Sequence, residues 1–269
     1  MRRAGRLAAL ALLVAGQLGC APQPTPNARA PRSDGRPRVM SLNPCIDAIL
    51  LRVADPDQIL SISHYSHDPR ASSVDVRITR RYPANSETAE EVVALRPDMV
   101  LLGPHVAPAT QTMIRSVGVR VVTLAVPETI DQSRQQVRDV ARAVGFPERG
   151  EALVARIDAA LSEARPPRGS QPIPAIIRQR GGLVPGTGTL PDELLAWTGF
   201  RNLSADYRLR MWDILPLEVM MVRPPRVVLG DLADGRSKEH DLPQGERGMR
   251  VAHFPDRLLQ CAGPNLIEA

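Results

Sequence analysis

The sequence predicts an α/β protein with two α/β lobes joined by one long rigid helix. Two stretches follow one pattern, EEVVALRPDMVLLG at residues 90–103 and EVMMVRPPRVVLG at residues 218–230. In each, an acidic residue begins a short stretch of helical period, an Arg-Pro pair breaks it, and an apolar run ends at Gly. Pro cannot continue a helix, and a short apolar run is typical of a strand buried on both faces. Two such units, far apart in the chain, predict two similar lobes.

Length and composition agree with a globular protein of this kind. The chain has 269 residues, enough for two lobes that each have a core. Its formal net charge is +5, but the arginines are scattered, and aromatic residues make up only 3% of the chain. Because nucleic-acid binders concentrate basic residues on one face, we predict no nucleic-acid partner.

The N-terminus predicts export. Three arginines within the first six residues precede an apolar segment, residues 7–15, that is too short to span a bilayer. We assign residues 1–20 to a signal peptide and the Pro-rich residues 21–37 to a disordered tether, and we expect a periplasmic protein. Cys20 follows Leu-Gly, which resembles a lipoprotein signal with a lipidated cysteine. Gln17 stands where such signals usually carry Leu, so cleavage without lipid stays open.

The first lobe, residues 38–127, alternates strands with helices. RVMSL is predicted as a strand, a helix follows from Asn43-Pro44, and QILSIS is a second strand. A long polar connection leads to a helix at residues 87–96, the strand DMVLLG, a further helix and the strand VRVVTLAV. This alternation is typical of parallel β-α-β units.

Residues 128–168 are predicted to form a helical connection. Residues 129–144 are amphipathic, and residues 147–165 form the long helix between the lobes. The second lobe, residues 169–269, begins with the strand IPAIIRQ, a glycine-rich loop and the helix LPDELLAW, which Gly199 caps. RNLSADYRLRMWDI is predicted as a loop; the second helix-strand unit, the strand MRVAHFP and the start of a helix follow.

Export permits disulfides, and Cys45 and Cys261 are left after Cys20. They fall in different predicted lobes, so a bond between them would tie the lobes together. We interpret them as two small buried thiols.

The ordered set of motifs resembles the class III periplasmic binding proteins, in the branch that binds cobalamin and ferric siderophores for ABC importers. RVMSLNPCIDAILL is similar to that family's first strand and helix, and SISHYSHDP to its second strand and ligand loop. AEEVVALRPDMVL and LPDELLAWTGFRNL match further elements, so the resemblance covers the chain from Arg38 onwards. It implies a monomer that holds a bulky metal chelate in a cleft between its lobes, uses no cofactor, and delivers its ligand to an inner-membrane permease.

The resemblance also implies carboxylates that dock on arginines of the permease. Glu218 stands seven residues before Pro225 and Glu90 seven before Pro97, whereas aligning the Arg-Pro pairs selects Glu91. Two exposed carboxylates held apart on a stiff body give a two-point charge match to basic pockets. Ordinary solvated helix residues are the alternative interpretation, and the repetition of the pair favours docking.

Ligand contacts are expected at the carboxyl ends of the parallel strands. The candidates are Asn43, Pro44, His64, Tyr65, Ser66, His67, His105, Gly182, Tyr207 and Trp212. By the resemblance, Tyr65 and Trp212 match ligand-facing aromatic residues, whose flat faces suit a large chelate ring. A role for Trp212 in closing the core is an equal alternative.

The histidines raise a second possibility. His64, His67 and His105 are three of only five histidines, and all fall on one side of the first lobe. Three imidazoles in one cleft can bind zinc, manganese or haem iron. A haem-binding or transition-metal-binding protein that uses these three residues is therefore the alternative function, although separate polar cleft or surface residues are the simpler interpretation.

No catalytic constellation is present. The sequence has no G-x-S-x-G elbow, no H-E-x-x-H and no P-loop. We therefore predict that the protein is not an enzyme, and the resemblance implies an extracytoplasmic solute-binding protein of an ABC importer. Its expected ligand is a corrinoid or, as a second choice, a ferric siderophore.

Overall fold

The computed structural model describes residues 33–231 and 249–269, which form two parallel sheets and a smaller antiparallel pair of strands. The strands are β1 (Val39–Ser41), β2 (Ile59–Ser63), β3 (Ala84–Asn85), β4 (Met99–Leu102), β5 (Arg120–Thr123), β6 (Ile173–Ile177), β7 (Leu183–Pro185), β8 (Phe200–Asn202), β9 (Trp212–Ile214), β10 (Val227–Gly230) and β11 (Arg250–His253). The α-helices are α1 (Pro44–Val53), α2 (Val76–Thr79), α3 (Ala89–Leu95), α4 (Pro108–Ser116), α5 (Ile130–Ala143), α6 (Pro147–Glu163), α7 (Leu190–Trp197) and α8 (Leu217–Val222).

The first sheet has the strand order β3-β2-β1-β4-β5, and all its pairs are parallel. From β1 the chain moves outward through β2 and β3, then crosses to the other side of β1 to form β4. Open α/β sheets bind ligands at the carboxyl ends of the strands beside such a reversal. Every residue of β1 and β4 is buried, as their apolar runs predict.

Asp98, which follows the first Arg-Pro pair, joins the beginnings of β1 and β4. The Arg38 amide donates to Asp98 Oδ2 at 2.7 Å, and the Arg38 guanidinium donates to both carboxylate oxygens. Hydrogen bonds from Arg38 hold the pKa of Asp98 below its usual value. This pair fixes the register of the two strands beside the reversal.

The second parallel sheet has the strand order β11-β10-β6-β8, while β7 and β9 pair antiparallel. The repeated pattern is confirmed, because α3 leads to β4 and α8 leads to β10, and each of these strands is central in its sheet. β3, β7, β8 and β9 occupy stretches that we predicted as loops. Strands of two or three residues are too short to show an alternating pattern.

The two helices predicted between the sheets are α5 and α6. They run antiparallel, because Arg134 pairs with Asp158 and Arg138 pairs with Glu151. Their apolar faces and that of α1 belong to the largest described hydrophobic core. No helix among the described residues is both long enough and apolar enough to cross a membrane.

The predicted tether extends too far towards the first strand. The Gln58 side chain donates to the Pro37 carbonyl oxygen at 3.1 Å, and the Arg36 guanidinium lies 4.0 Å from the centre of the Phe146 ring. Residues 36 and 37 are therefore part of the folded body. The signal peptide, Cys20 and most of the tether lie outside the described residues.

Cys45 and Cys261 form a disulfide, so our interpretation of them as two thiols is wrong. After β11, residues 256–267 leave the second sheet, and residues 263–267 pack on α1, α5 and α6. This return brings Cys261 beside the first turn of α1, which carries Cys45. We call residues 256–267 the C-terminal segment.

Candidate functional site

A cleft of about 580 Å³ lies at the carboxyl ends of β1, β4 and β5. Because β1 and β4 flank the reversal of strand order, the cleft is where the topology of the first sheet predicts a ligand site. The residues that the strand ends of this sheet, α1 and α5 contribute are Asn43, Cys45, Ile46, Gly103, Pro104, His105, Leu124, Ala125, Val126, Pro127, Glu128 and Gln136.

The rest of the cleft lining comes from later parts of the chain. Part of it is the beginning of α7 with Met211 and Trp212, and part is the C-terminal segment. Most of these side chains are apolar, which suits a ligand with a large apolar surface. They are Thr189, Leu190, Pro191, Leu194, Met211, Trp212, Leu258, Leu259, Gln260, Cys261, Ala262 and Leu266.

Asn43 organises the end of the cleft between β1 and β4. Its side-chain oxygen accepts from the amides of Cys45 at 2.9 Å and Ile46 at 3.2 Å, which caps the first turn of α1. A Cβ atom at Gly103 would lie 2.8 Å from Asn43 Nδ2. A side chain at residue 103 would therefore displace the Asn43 amide group, which caps α1.

Trp212 lies in the cleft lining and is 41% exposed. It begins β9, where it pairs with Pro185 of β7. Met211, just before it, has φ +53, and a Cβ atom at Gly186 would lie 2.7 Å from the Met211 carbonyl oxygen. Trp212 is absent from the described hydrophobic cores, which disfavours the alternative in which it closes the core.

Of the predicted ligand contacts, Asn43, His105 and Trp212 line the cleft. The other seven candidates do not line it, although Pro44 lies between two lining residues. Gly182 is buried against the Leu215 carbonyl oxygen, and the Tyr207 hydroxyl donates to the Arg223 carbonyl oxygen.

The four candidates after β2 form a short 3₁₀ helix, residues 64–67, outside the cleft lining. His64 Nδ1 lies 3.2 Å from the Asn85 carbonyl oxygen, and His67 Nε2 lies 3.0 Å from the Thr79 carbonyl oxygen. Tyr65 is 48% exposed, with its ring centre 4.0 Å from that of His64.

The three histidines do not converge. His64 and His67 contact backbone carbonyl oxygens on different segments, whereas His105 lines the cleft. The described part of the chain contains no group of three or more His, Cys, Asp or Glu side chains placed to hold a metal ion. The predicted alternative in which His64, His67 and His105 together bind a metal is therefore wrong.

A buried acid that the sequence analysis missed supports the 3₁₀ helix. Asp47 of α1 is fully buried, and its Oδ2 accepts from the Ser66 hydroxyl at 2.6 Å and the Ser63 amide at 3.0 Å. Burial raises the pKa of Asp47 to about 8, although its hydrogen bonds act in the opposite direction. Asp47 thus anchors the segment that carries Tyr65 to the first helix.

The predicted docking glutamates occupy different environments. Glu90 is exposed in the first turn of α3, and Glu218 is exposed in the first turn of α8. Glu91 instead closes a capping box, in which its carboxylate accepts from the Thr88 amide and hydroxyl and from the Ser86 amide. The carboxylate of Glu91 is thus occupied within its own helix terminus.

The fold and the cleft together define a two-lobe α/β solute-binding protein. Residues 39–245 match the family model described as periplasmic binding protein, and the chain belongs to this family. Its members bind solutes without catalysis and without a cofactor.

Curated relatives and solved structures agree with this assignment. Cobalamin-binding proteins from two strains of Halobacterium salinarum are 26% identical over 204 residues, which is 74% of this chain. The chain spans about half the length of these relatives, since the match covers 55% of each.

Two solved structures share the fold. The heme-binding protein RhuT from Roseiflexus sp. RS-1 has a TM-score of 0.68 and 24% identity over 87% of this chain and 96% of that chain. The vitamin B12-binding protein BtuF of Vibrio cholerae has a TM-score of 0.65 and 18% identity over 87% and 93%.

Proposed function

We propose that this chain is the extracytoplasmic solute-binding component of an ABC importer and carries a bulky metal chelate, with a corrinoid as the first choice and a ferric siderophore as the second. The observation that carries the proposal is the cleft of about 580 Å³ at the strand ends beside the reversal. Its volume lies within the range of roughly 300–1,000 Å³ that is usual for small-molecule sites.

The chemistry of the cleft supports a large, partly apolar ligand. Trp212 offers an exposed ring, and the surrounding side chains are mainly leucine, isoleucine, valine, alanine and proline. Stacking on the ring and burial of apolar area can supply affinity for a macrocycle even where no ion pair holds it. The curated relatives named as cobalamin-binding proteins favour a corrinoid within this class.

Haem is the alternative to these two ligands, and a separate observation favours it. His105 and Met211 both line the cleft, and both residue types serve as axial ligands of haem iron. The similar fold of a heme-binding protein is consistent with this reading. This candidate needs only His105 or Met211, and not the set of three histidines.

Titration calorimetry of the purified protein with cyanocobalamin, haemin and a ferric hydroxamate distinguishes the candidates. We expect one corrinoid to bind per chain, with a negative heat-capacity change from buried apolar surface. Failure of all three chelates to bind would refute the proposed class. Tight haemin binding with a Soret band that shifts in His105→Ala, together with no corrinoid binding, would replace the first choice by haem.

The remaining assignments belong to the same proposal. Lobes at residues 38–127 and 169–269 flank the helical connection, Glu90 and Glu218 dock on the permease, and Tyr65 contacts parts of the ligand that extend beyond the cleft.

Lipid attachment at Cys20 would hold the exported protein at the membrane. Metabolic labelling with a fatty-acid analogue should label the wild-type chain and not Cys20→Ala; equal labelling of both would refute the attachment site.

A further inference from the structure

The C-terminal segment forms one side of the cleft, although it follows the last strand of the second sheet. Leu258, Leu259, Gln260, Cys261 and Ala262 are consecutive residues of the lining, and Leu266 adds a further contact. The end of the segment, residues 263–267, packs on α1, α5 and α6, which lie with the first sheet. Its position therefore depends on contacts between residues that are far apart in the chain.

A disulfide and two hydrogen bonds link residues 260–263 to distant parts of the chain. The Cys261 sulfur is bonded to Cys45 of α1, across a sequence separation of 216. The Gly263 amide donates to the buried Ser133 hydroxyl of α5 at 2.8 Å. The Gln260 side-chain amide donates to the Arg70 carbonyl oxygen at 2.6 Å.

The disulfide lies in the cleft lining itself. Cys45 and Cys261 are both lining residues, and Cys45 is two positions after Asn43, which caps α1. The bond thus joins the strand end beside the reversal directly to the C-terminal segment.

Leu259 is suited to contact a ligand. Its neighbour Leu258 is buried, and Ala262 and Leu266 belong to the core that contains α1 and α5. Leu259 is only partly buried, and it lines the cleft without belonging to any described core. A side chain in this environment gains further burial when a ligand fills the cleft.

We propose that residues 258–262, clamped by the Cys45–Cys261 bond, are a specificity-determining wall that sets the width of the cleft and presents Leu259 to the edge of the chelate. The ligand part of this proposal rests on the proposed function, whereas the clamp does not. With the bond intact, the wall is preorganised, so the ligand does not lose affinity by ordering it. Without the bond, the wall moves and bulky and compact chelates are distinguished less well.

The clamp is tested without a ligand by hydrogen exchange on the wild-type chain and on Cys45→Ala/Cys261→Ala. We expect amides at residues 258–262 to lose protection in the double variant while α5 and the β1 and β4 strands keep theirs. Unchanged protection of residues 258–262 would overturn the clamp. Loss of protection throughout the molecule would also overturn it, because the bond would then act on global stability alone.

The specificity role is tested by the affinities for cyanocobalamin and haemin. The double variant is expected to bind the preferred chelate about 10-fold more weakly, with a faster dissociation rate and a smaller ratio between the two affinities. Leu259→Ala keeps the disulfide and should weaken binding about threefold to tenfold at unchanged stability. Ile173→Ala, which removes an exposed side chain outside the cleft lining, is the matched control and should bind as the wild type does.

The outcomes separate the two proposals. A wild-type chain that binds none of cyanocobalamin, haemin and a ferric hydroxamate refutes the proposed function, while the exchange experiment still decides the clamp. If the wild-type chain binds and both Leu259→Ala and the double variant keep its affinity and its selectivity, the wall does not determine specificity and this inference is wrong.

Discussion

Asp47 is a carboxyl group without charge compensation in the interior of the first lobe. It is fully buried, and the groups that face it are the hydroxyls of Ser41 and Ser66, the Ser63 amide and the carboxylate of Glu87. Glu87 adds to the rise in the pKa of Asp47, since two negative charges repel each other. At neutral pH the protonated form of Asp47 therefore dominates in the folded protein.

Asp47 should make stability fall as pH rises. Its pKa is about 8 in the folded chain and about 3.8 when unfolded, so the folded state binds the extra proton between these values. The free energy of unfolding should decline across this window by up to about 1.4 kcal/mol per pH unit. Asp47→Asn keeps a neutral group and should lack this decline in urea unfolding between pH 5 and 8.

The control for Asp47 is Asp57→Asn, which changes an exposed carboxyl group and should leave the wild-type pH dependence unaltered. Parallel pH curves for the wild type and Asp47→Asn would show that Asp47 ionises normally. That result would remove the buried protonated acid from the account of the first lobe.

Trp212 should contribute to affinity and little to stability. Its ring is 41% exposed and outside the described cores, so Trp212→Ala should leave the unfolding midpoint nearly unchanged. Loss of stacking and apolar contact should weaken cyanocobalamin binding by about 10-fold, whereas Trp212→Phe should retain most of the affinity. Titration calorimetry measures the affinity, and scanning calorimetry measures the unfolding midpoint. Val222→Ala, which changes an exposed side chain, is the control and should match the wild type in both. Wild-type affinity in Trp212→Ala would exclude the ring from the site.

At the level of elements, two adjacent glutamates in the first turn of α3 should contribute differently to stability. Glu91→Ala and Thr88→Ala each remove capping-box hydrogen bonds and should lower the free energy of unfolding by about 1 kcal/mol. Glu90→Ala changes an exposed side chain and should stay within about 0.5 kcal/mol of the wild type. Urea unfolding of the three variants tests this, and an equal loss in all three would contradict the assigned capping role.

Elements with a strong local signal could be predicted from the sequence. β4 and β10 each lie between two neighbouring strands, and their apolar runs and the preceding Arg-Pro breaks are visible without a structure. β8 and β9 have three residues each, and pairing with distant strands defines them. Local pattern contains no information about such pairs.

The same difference applies to the cleft. Asn43 and His105 follow β1 and β4, so the strand-end rule located them. The rule also extends to residues 124–128 after β5, which the sequence analysis did not use. The position of residues 258–262 and the bond between Cys45 and Cys261 depend on the return of the chain to α1. No local sequence pattern indicates that return.

At the level of the whole molecule, the two helix-strand units carry the carboxylates proposed to dock on a permease. Glu90 and Glu218 are both exposed in the first turn of a short helix that leads into a central strand. Neither residue lines the cleft, so removing them should leave ligand affinity unchanged. A pair of charges fixed on one body steers association and sets orientation, and both effects weaken at high ionic strength.

Uptake of radiolabelled cyanocobalamin by cells that carry the importer tests this two-point match. Glu90→Ala and Glu218→Ala should each slow uptake several-fold, and the double variant should nearly abolish it because no charged contact remains to orient the complex. Glu163→Ala removes an exposed glutamate at the end of α6 and should transport normally. Cyanocobalamin affinity should be equal in all four variants. Wild-type uptake by the double variant would mean that the two glutamates are ordinary solvated residues, and the repeated units would then be a feature of the fold alone.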